Sequence, residues 1–465
     1  MNTIRKFHRL RIAGAVAATL SVLQAQSASD ATTHSILNDY IYGFSPVAME
    51  ATRALQTAVP DNTMTPGQAP INQFGYRITL ADPSERLIIR PNADTLYTNA
   101  WLDLSHEPMI LHVPDAAGRY YLMPMLDAYT NEFASIGART TGTSAGNYAI
   151  VGPNWNGTLP ETLSGVVHAP TNTVWIIGRT LVRGQADLQD AVALTKQFLL
   201  VPLSAYSNFL RTGSYTPPTG VPVTPPNPDF KGLPVTSSPA FSKPEFFDFL
   251  DAYALRNPPP RDQFVQASRL VLDGSLHQGQ LNSDVVAQAN RAFAAEGPSI
   301  GTKENGWTLN LKGGNYDEDY LLRATLTRFG FGTNIAADAI YPSAMTDISG
   351  NPLVGTNQYV IHFPAGQTPP AHGFWSITVY DQDGFLVTNP IQRYDVGSET
   401  GLTQNPDGSI DVFIQNTPPA MLESNWLPAP TGPFELTMRL FWPDQSALNG
   451  AWMPPPITLV NAALP

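Results

Sequence analysis

Three segments of this chain recur in the same order some 250 to 260 residues later. LHVP at 111–114 returns as IHFP at 361–364, and GRYYLMPMLD at 118–127 as GFWSITVYD at 373–381. IIGRTLV at 176–182 returns as LTMRLFW at 436–442. Each is a short apolar run rich in β-branched and aromatic residues, bounded by Gly, Pro, Asn or Asp, which reads as a strand. A repeat at this period constrains the fold more than any single motif, because each copy must bury its own apolar face. The pattern predicts two related β-sandwich units in a chain whose 465 residues suffice for two or three domains.

The remaining segments read as helical. Tyr40, Ile41, Phe44, Val47, Ala48 and Ala51 recur at near-helical spacing within 33–58. Pro46 inside this run predicts a kink or two short helices. Residues 185–203 also carry a helical pattern. SYTPPTGVPVTPPNPDF (214–230) is Pro-rich and reads as a spacer or wrapping arm. Ser242, with Glu245 three residues later, has the form of a helix start, and Pro258 of its stop. The expected division is a signal peptide over 1–27, a helical segment over 28–70 and a β domain over 71–213. A linker with helices over 214–303 and a second β domain over 304–465 complete it.

Arg5, Lys6, Arg9 and Arg11 precede an apolar run, Ile12 to Leu23, and Ala25-Gln26-Ser27 offers a small-x-small cleavage site. This is the pattern of an export signal, too short to span a bilayer as a helix. The expectation is an exported protein of the periplasm or the extracellular space, with no membrane span once the signal is removed. Formal net charge is −12 and no basic cluster follows residue 11, which argues against nucleic acid as a partner. The absence of cysteine excludes disulfides, thiolate nucleophiles and Cys metal sites.

Few patterns point to chemistry. GTSAG (142–146) matches G-x-S-x-G around Ser144, but the residues after it read as a strand where a nucleophile elbow needs a helix. No two histidines stand in H-x-H or H-x-x-x-H spacing. His112 and His362 take equivalent places in the repeat, which favours a structural role. DQDG (381–384) and NYDEDY (315–320) cluster carboxylates. Asp381 and Asp383 suit Ca²⁺, a carboxylate pair for proton transfer, or simply a solvated hairpin end. No other cofactor is expected. RPNADTLYTNAWLDLS (90–105) is the densest polar stretch. Arg90 offers a fork for a carboxylate, Asn92 suits a turn, and Asp94 either holds that turn or pairs with Arg90. The stretch is either a strand entry stitched by polar bonds or one wall of a ligand pocket.

YIYGFSPVAM (40–49), RPNADTLYTNAWLDLS, GRYYLMPMLDAYTNEFASIGART (118–140) and VGPNW (151–155) resemble the DUF1254 family. GGNYDEDYLLRA (313–324), GFWSITVYDQDGFLVTNP (373–390), NPDGS (405–409), NWLPAP (425–430) and FELTMRLFWP (434–443) resemble DUF1214, its usual C-terminal companion. The resemblance implies a mostly bacterial, often exported protein of multidomain α+β class. Two jelly-roll-like antiparallel β-sandwich domains and a helical portion would make it up. It carries no established activity. Its motifs single out Arg90, Asn92, Asp94, Tyr97, Asp127, Tyr129 and Asn131 in the first β domain. In the second they single out Trp375, Tyr380, Asp381, Asn425, Trp426 and Arg439. Two functions fit such groups. One is a hydrolase or lyase for a small organic or sugar-like molecule, with Asp94 or Asp127 as acid or base and Arg90 or Arg439 binding anionic groups. The other is a non-catalytic envelope or secreted protein that binds a small molecule or glycan on an aromatic β surface. The sequence leaves the oligomeric state open.

Overall fold

The computed structural model describes residues 36–86, 89–232, 234–259 and 281–460. The expected export signal lies outside them. Among the described residues no helix is long and apolar enough to cross a membrane.

The first β unit has nine strands: β1 (Gly75–Arg77), β2 (Thr95–Asp103), β3 (Met109–Val113), β4 (Tyr121–Leu126), β5 (Glu132–Gly137), β6 (Gly146–Val151), β7 (Gly165–His168), β8 (Thr173–Leu181) and β9 (Leu199–Pro202). They form two sheets, ordered β1-β2-β8-β4-β5 and β7-β6-β3-β9. The second unit runs β10 (Thr302–Glu304), β11 (Trp307–Leu309), β12 (Ala339–Ile340), β13 (Ser343–Ala344), β14 (Tyr359–Phe363), β15 (Ala371–Asp381), β16 (Asp395–Gly397), β17 (Ile410–Gln415), β18 (Trp426–Pro428), β19 (Phe434–Pro443) and β20 (Ile457–Leu459). Its sheets are β10-β11-β13-β19-β15-β16, with β12 also on β19, and β18-β17-β14-β20.

The duplication extends to topology. Strand for strand, β3 to β9 and β14 to β20 have the same neighbours in the same order. Each unit is antiparallel save for one parallel pair at an edge, β6 with β7 and β17 with β18. The repeated histidines mark the correspondence. His112 Nδ1 lies 2.8 Å from Asn147 Oδ1 across β3 and β6, and His362 Nδ1 lies 2.6 Å from Asp411 Oδ1 across β14 and β17. Both bonds join residues directly opposed in the ladder.

In the two sheets that face the seam, side-chain alternation gives the central strands two buried faces. Along β8, Val174 and Ile176 enter the first sandwich core, while Ile177, Arg179 and Leu181 point outward. Along β19, Leu436, Met438 and Leu440 enter the second core, while Thr437, Arg439 and Phe441 point outward. The outward faces pack against one another: Tyr120, Leu122 and Leu181 of the first unit meet Ala339, Phe374 and Phe441 of the second. This seam positions the candidate site.

Helices cover one side of the seam. Residues 36–56 form α1. α2 (Leu188–Thr195) and α3 (Leu203–Thr212) flank β9, while α4 (Phe246–Arg256), α5 (Ser283–Glu296) and α6 (Tyr320–Phe329) pack on α1. The break expected at Pro46 does not occur. Pro46 removes the N–H that would bond the Tyr42 carbonyl, and Arg323 Nη2 takes that acceptor at 2.9 Å, so α1 continues. The helical pattern read over 185–203 is interrupted, because Leu199–Pro202 pairs with β3 as β9. Ser242 does not cap α4, which starts after Glu245 without a side-chain cap. The acidic run NYDEDY resolves into a helix start, where Asp319 Oδ1 accepts the Leu322 N–H at 3.0 Å and caps α6. The Pro-rich arm lies across the first unit, held by Val221 N–H to the Pro60 carbonyl at 2.9 Å and Gln73 Nε2 to the Pro218 carbonyl at 2.9 Å.

Candidate functional site

A cleft of about 1070 Å³ opens between the two sandwiches and the helical layer. Its inner wall carries Arg90, Asn92, Tyr97, Arg179, Tyr341 and Arg439. Arg179 and Arg439 occupy equivalent places in IIGRTLV and LTMRLFW. They are 8% and 3% exposed, one on each side of the seam. Arg439 Nη1 donates to Thr378 Oγ1 at 2.9 Å, and its Nη2 donates to the Arg90 carbonyl at 2.9 Å and Tyr380 Oη at 2.6 Å. Arg179 Nη1 donates to the Ile177 carbonyl at 2.9 Å, and its guanidinium lies 5.7 Å from the centre of the Tyr97 ring. Among the described residues neither guanidinium takes a salt bridge. A buried guanidinium usually engages a carboxylate directly, so two in one wall without such a contact is an unusual arrangement.

Arg90, by contrast, is paired. Its Nε and Nη2 grip Glu435 Oε1 and Oε2 at 2.6 and 2.8 Å, a bidentate pair between the units. The expected pairing of Arg90 with Asp94 is therefore not formed. Arg90 has φ 54°, a left-handed backbone that a β-carbon disfavours. Its N–H to the Gly384 carbonyl at 2.8 Å helps hold it there. Asn92 makes the expected turn, its Oδ1 accepting the Asp94 N–H at 3.1 Å and its Nδ2 donating to Thr95 Oγ1 at 3.0 Å.

Asp94 lies directly behind this wall, 7% exposed, with neither carboxylate oxygen in a well-formed hydrogen bond, although Ser376 and Asn92 lie near enough to favour its charged form. Burial raises its pKa, and Arg439 offsets part of that rise. Its neighbour is Asp395, first residue of β16, whose carboxyl is pushed up to about 7 by burial and by the Asp94 charge. The two form a carboxyl pair in which ionisation of one opposes that of the other. A second such pair, Glu132 and Asp338, lies further along the seam. Asp338 precedes β12 as Asp94 precedes β2, and Trp442 N–H bonds its carbonyl at 2.8 Å as Val182 N–H bonds that of Asp94 at 2.9 Å.

Of the residues singled out from sequence, Arg90, Asn92, Asp94, Tyr97, Tyr380 and Arg439 come together here. Tyr380 donates to the Pro91 carbonyl at 2.7 Å and fixes the turn that carries Asn92. The others lie elsewhere. Asp127 closes the turn after β4: Oδ1 accepts the Tyr129 and Asn131 N–H groups at 2.8 and 2.9 Å, and Oδ2 accepts Asn131 Nδ2 at 3.0 Å. Tyr129 donates to the Asn257 carbonyl at 2.9 Å beneath the helices. Asp381 builds the same turn in the second unit, accepting the Asp383 and Phe385 N–H groups at 3.0 and 2.9 Å. The chain after that turn does not return as a hairpin; β15 next pairs with β16 at Asp395–Gly397. Trp375 fills the second sandwich core. Asn425 and Trp426 secure β18, through Asn425 Nδ2 to the Thr403 and Asp411 carbonyls at 2.8 and 2.9 Å and Trp426 Nε1 to the Gln415 carbonyl at 2.9 Å. Among the described residues no group of three or more His, Asp or Glu is arranged to hold a metal ion.

Arg179 was legible and missed: the repeat places it on Arg439. Tyr341, Asp395, Glu132 and Asp338 carry no sequence signal, since each stands alone in its segment and meets its partners only across the seam.

A family model described as "Protein of unknown function (DUF1254)" matches residues 71–202, and one described as "Protein of unknown function (DUF1214)" matches residues 338–445. The chain belongs to the DUF1254/DUF1214 proteins. The DUF1254 match ends in β9, and the DUF1214 match runs from Asp338, so the cleft wall draws on both. Among solved structures, the chain is similar to the VPA0106 protein from Vibrio parahaemolyticus, with 22% identity and a TM-score of 0.69. That match covers 92% of this chain and all of the other, and shows a shared fold. A putative uncharacterised protein from Burkholderia cenocepacia matches at 14% identity and a TM-score of 0.43, over 95% of this chain and 98% of that one. No protein of curated function matches the sequence.

Proposed function

We propose that this is an exported protein that takes a small organic anion into the cleft between its two sandwiches. The observation that carries this reading is the pair Arg179 and Arg439, buried on opposite sides of one cleft without salt bridges. The nearest acids make no salt bridge with them: Asp94 beside Arg439, and Glu132 among the groups around Arg179, act on them only at longer range, and burial raises the pKa of both acids. A ligand carboxylate supplies the missing charge and the acceptor geometry that a guanidinium fork fits best. Tyr97 and Tyr341 add aromatic wall and hydroxyl groups, the usual mixture of a small-molecule pocket.

A hydrolase or lyase is the second reading, and Asp94 with Asp395 is what favours it. The catalytic pair is then not Asp94 with Asp127, since Asp127 is committed to its turn. A carboxyl titrating near 7 beside a second buried carboxyl is suited to give and take a proton at neutral pH. Calcium at Asp381 and Asp383 remains a separate proposal, answered by calorimetric titration of Ca²⁺ into the chelated protein.

Isothermal titration of the purified protein against small organic acids, with neutral sugars as controls, tests the anion reading. Acids should bind and sugars should not, and Arg179→Met or Arg439→Met should each weaken binding by about tenfold to a hundredfold. Binding of sugars alone, or acid binding indifferent to both substitutions, would sink it.

A further inference from the structure

Eleven large apolar side chains are exposed among the described residues, and three of them line this one cleft. Phe329, Met345 and Ile348 are 49%, 58% and 49% exposed. Phe329 ends α6, while Met345 and Ile348 stand three residues apart in the loop after β13, so the fold brings two separate segments together here. The same cleft thus grades from buried guanidinium groups on its inner wall to exposed aliphatic and aromatic side chains at its mouth. Leu326, Phe331 and Ile300 continue the apolar lining between the two. At about 1070 Å³ the space is at the upper end of small-ligand pockets and exceeds what a compact anion occupies.

We propose that the occupant is an amphiphilic organic acid with an aliphatic chain. Its carboxylate lies against Arg179 and Arg439, and its chain runs outward over Phe329, Met345 and Ile348. This rests on the anion reading above and adds the chemistry of the rest of the molecule. Exposed apolar side chains gathered at one opening mark a surface that is covered when in use. The unbranched, polarisable Met345 suits a flexible chain whose contacts vary. The charged end selects the orientation, because an aliphatic chain cannot satisfy two buried guanidinium groups.

The test is a titration of the full chain with acetate, decanoate and decanol, each below its aggregation limit. Affinity should rise from acetate to decanoate, by roughly threefold to fourfold per methylene over the part of the chain that is covered. Decanol should bind far more weakly than decanoate. Equal affinity for acetate and decanoate overturns the amphiphile and leaves the anion reading standing. Binding of decanol as tightly as decanoate overturns both, because the guanidinium groups then select nothing, and silence from all three does the same. Met345→Asp and Ile348→Asp alter exposed side chains and spare the cores. Each should lower decanoate affinity by about fivefold or more, with an unchanged melting temperature confirming the fold. Unchanged affinity in both overturns the placement of the chain.

Discussion

Glu132 and Asp338 face one another across the seam between the two sandwiches, and each presents a buried carboxyl oxygen, Oε1 and Oδ2, that no amide, hydroxyl or guanidinium donor reaches. Their remaining oxygens are engaged. Glu132 Oε2 accepts the Ile335 N–H at 2.8 Å and Asn334 Nδ2 at 3.2 Å, and Asp338 Oδ1 takes Arg139 Nε at 2.5 Å. We infer that one proton is shared between the two carboxyls. Against the effect of burial, the hydrogen bond from Glu132 and then Arg139 hold Asp338 below the usual carboxylate range, while burial and the Asp338 carboxylate hold Glu132 well above it.

That proton makes the seam pH-dependent. The folded pKa of Glu132 is raised, so its contribution to stability is fully present below the unfolded pKa and is lost as pH rises through the folded value. Asp338 behaves oppositely and loses its contribution only in acid, as pH falls through its depressed value. Melting temperature measured from pH 5 to 9 should therefore fall more steeply for the parent than for Glu132→Gln, whose amide donates to Asp338 without titrating. Parallel curves would remove the shared proton from the account.

Asp395 permits a similar measurement at the other pair. Its carboxyl is raised to about 7, so ionising it destabilises the folded state between the unfolded value of 3.8 and that point. Asp395→Asn should stabilise the protein at pH 8 by roughly 1–3 kcal/mol and change little at pH 4. Denaturant titration at the two pH values decides it, and an equal effect at both would refute a raised pKa.

Pro46 and Arg323 should prove energetically coupled. Arg323→Met leaves the Tyr42 carbonyl buried without a donor, at a cost of about 1–3 kcal/mol from that group alone. In a Pro46→Ala background the backbone amide restored at this position can bond that carbonyl, and the same substitution should cost less. A double-mutant cycle should return a coupling of about 0.5–1.5 kcal/mol. Additivity would show that the guanidinium acts through its other contacts, among them the rings of Tyr42, Tyr129 and Tyr320, whose centres lie 5.0, 5.7 and 4.9 Å away.

Asp127 and Asp381 test whether a family carboxylate holds a turn or carries chemistry. Each accepts N–H groups two and four residues ahead. Asp127→Ala should cost about 1–3 kcal/mol and Asp381→Ala less, since Asp381 is partly exposed. Asn at either place keeps an acceptor and should recover much of the loss. If Asp127→Asn abolished turnover of an identified substrate at full stability, the turn role would be insufficient.

How much of this was readable beforehand follows from the range of the interactions. The repeat in LHVP and IHFP was enough to expect two β units, because strand pairing writes itself locally in alternation and turn residues. Asn92 announced its turn for the same reason. Asp127 looked catalytic, and Asp381 a site residue, because a turn-closing aspartate and an acid–base or ligand-binding aspartate are the same residue until its donors are seen. A pairing of Arg90 with Asp94, four residues away, was one of two alternatives, and Arg90 instead bonds Glu435. Asp395, Glu132 and Asp338 acquire their properties only from a partner in another segment. The cleft is of that kind throughout, built from outward strand faces that meet only when the two units dock.

The helix at 36–56 has a consequence for the order of assembly. Tyr40 donates to the Phe241 carbonyl at 2.7 Å, Ser45 and Thr327 hydroxyls lie 2.7 Å apart, and the Tyr42 carbonyl waits for Arg323. Those partners lie 201, 282 and 281 residues downstream. The first sandwich contains all of its own strands by residue 202 and can close earlier, whereas α1 has no complete site until the chain has passed α6. The first helix of the described chain is thus among the last of its elements to find its place. An early end to the chain before residue 320 would leave its apolar face, Tyr40, Phe44 and Val47, incompletely covered whatever the state of the sheets.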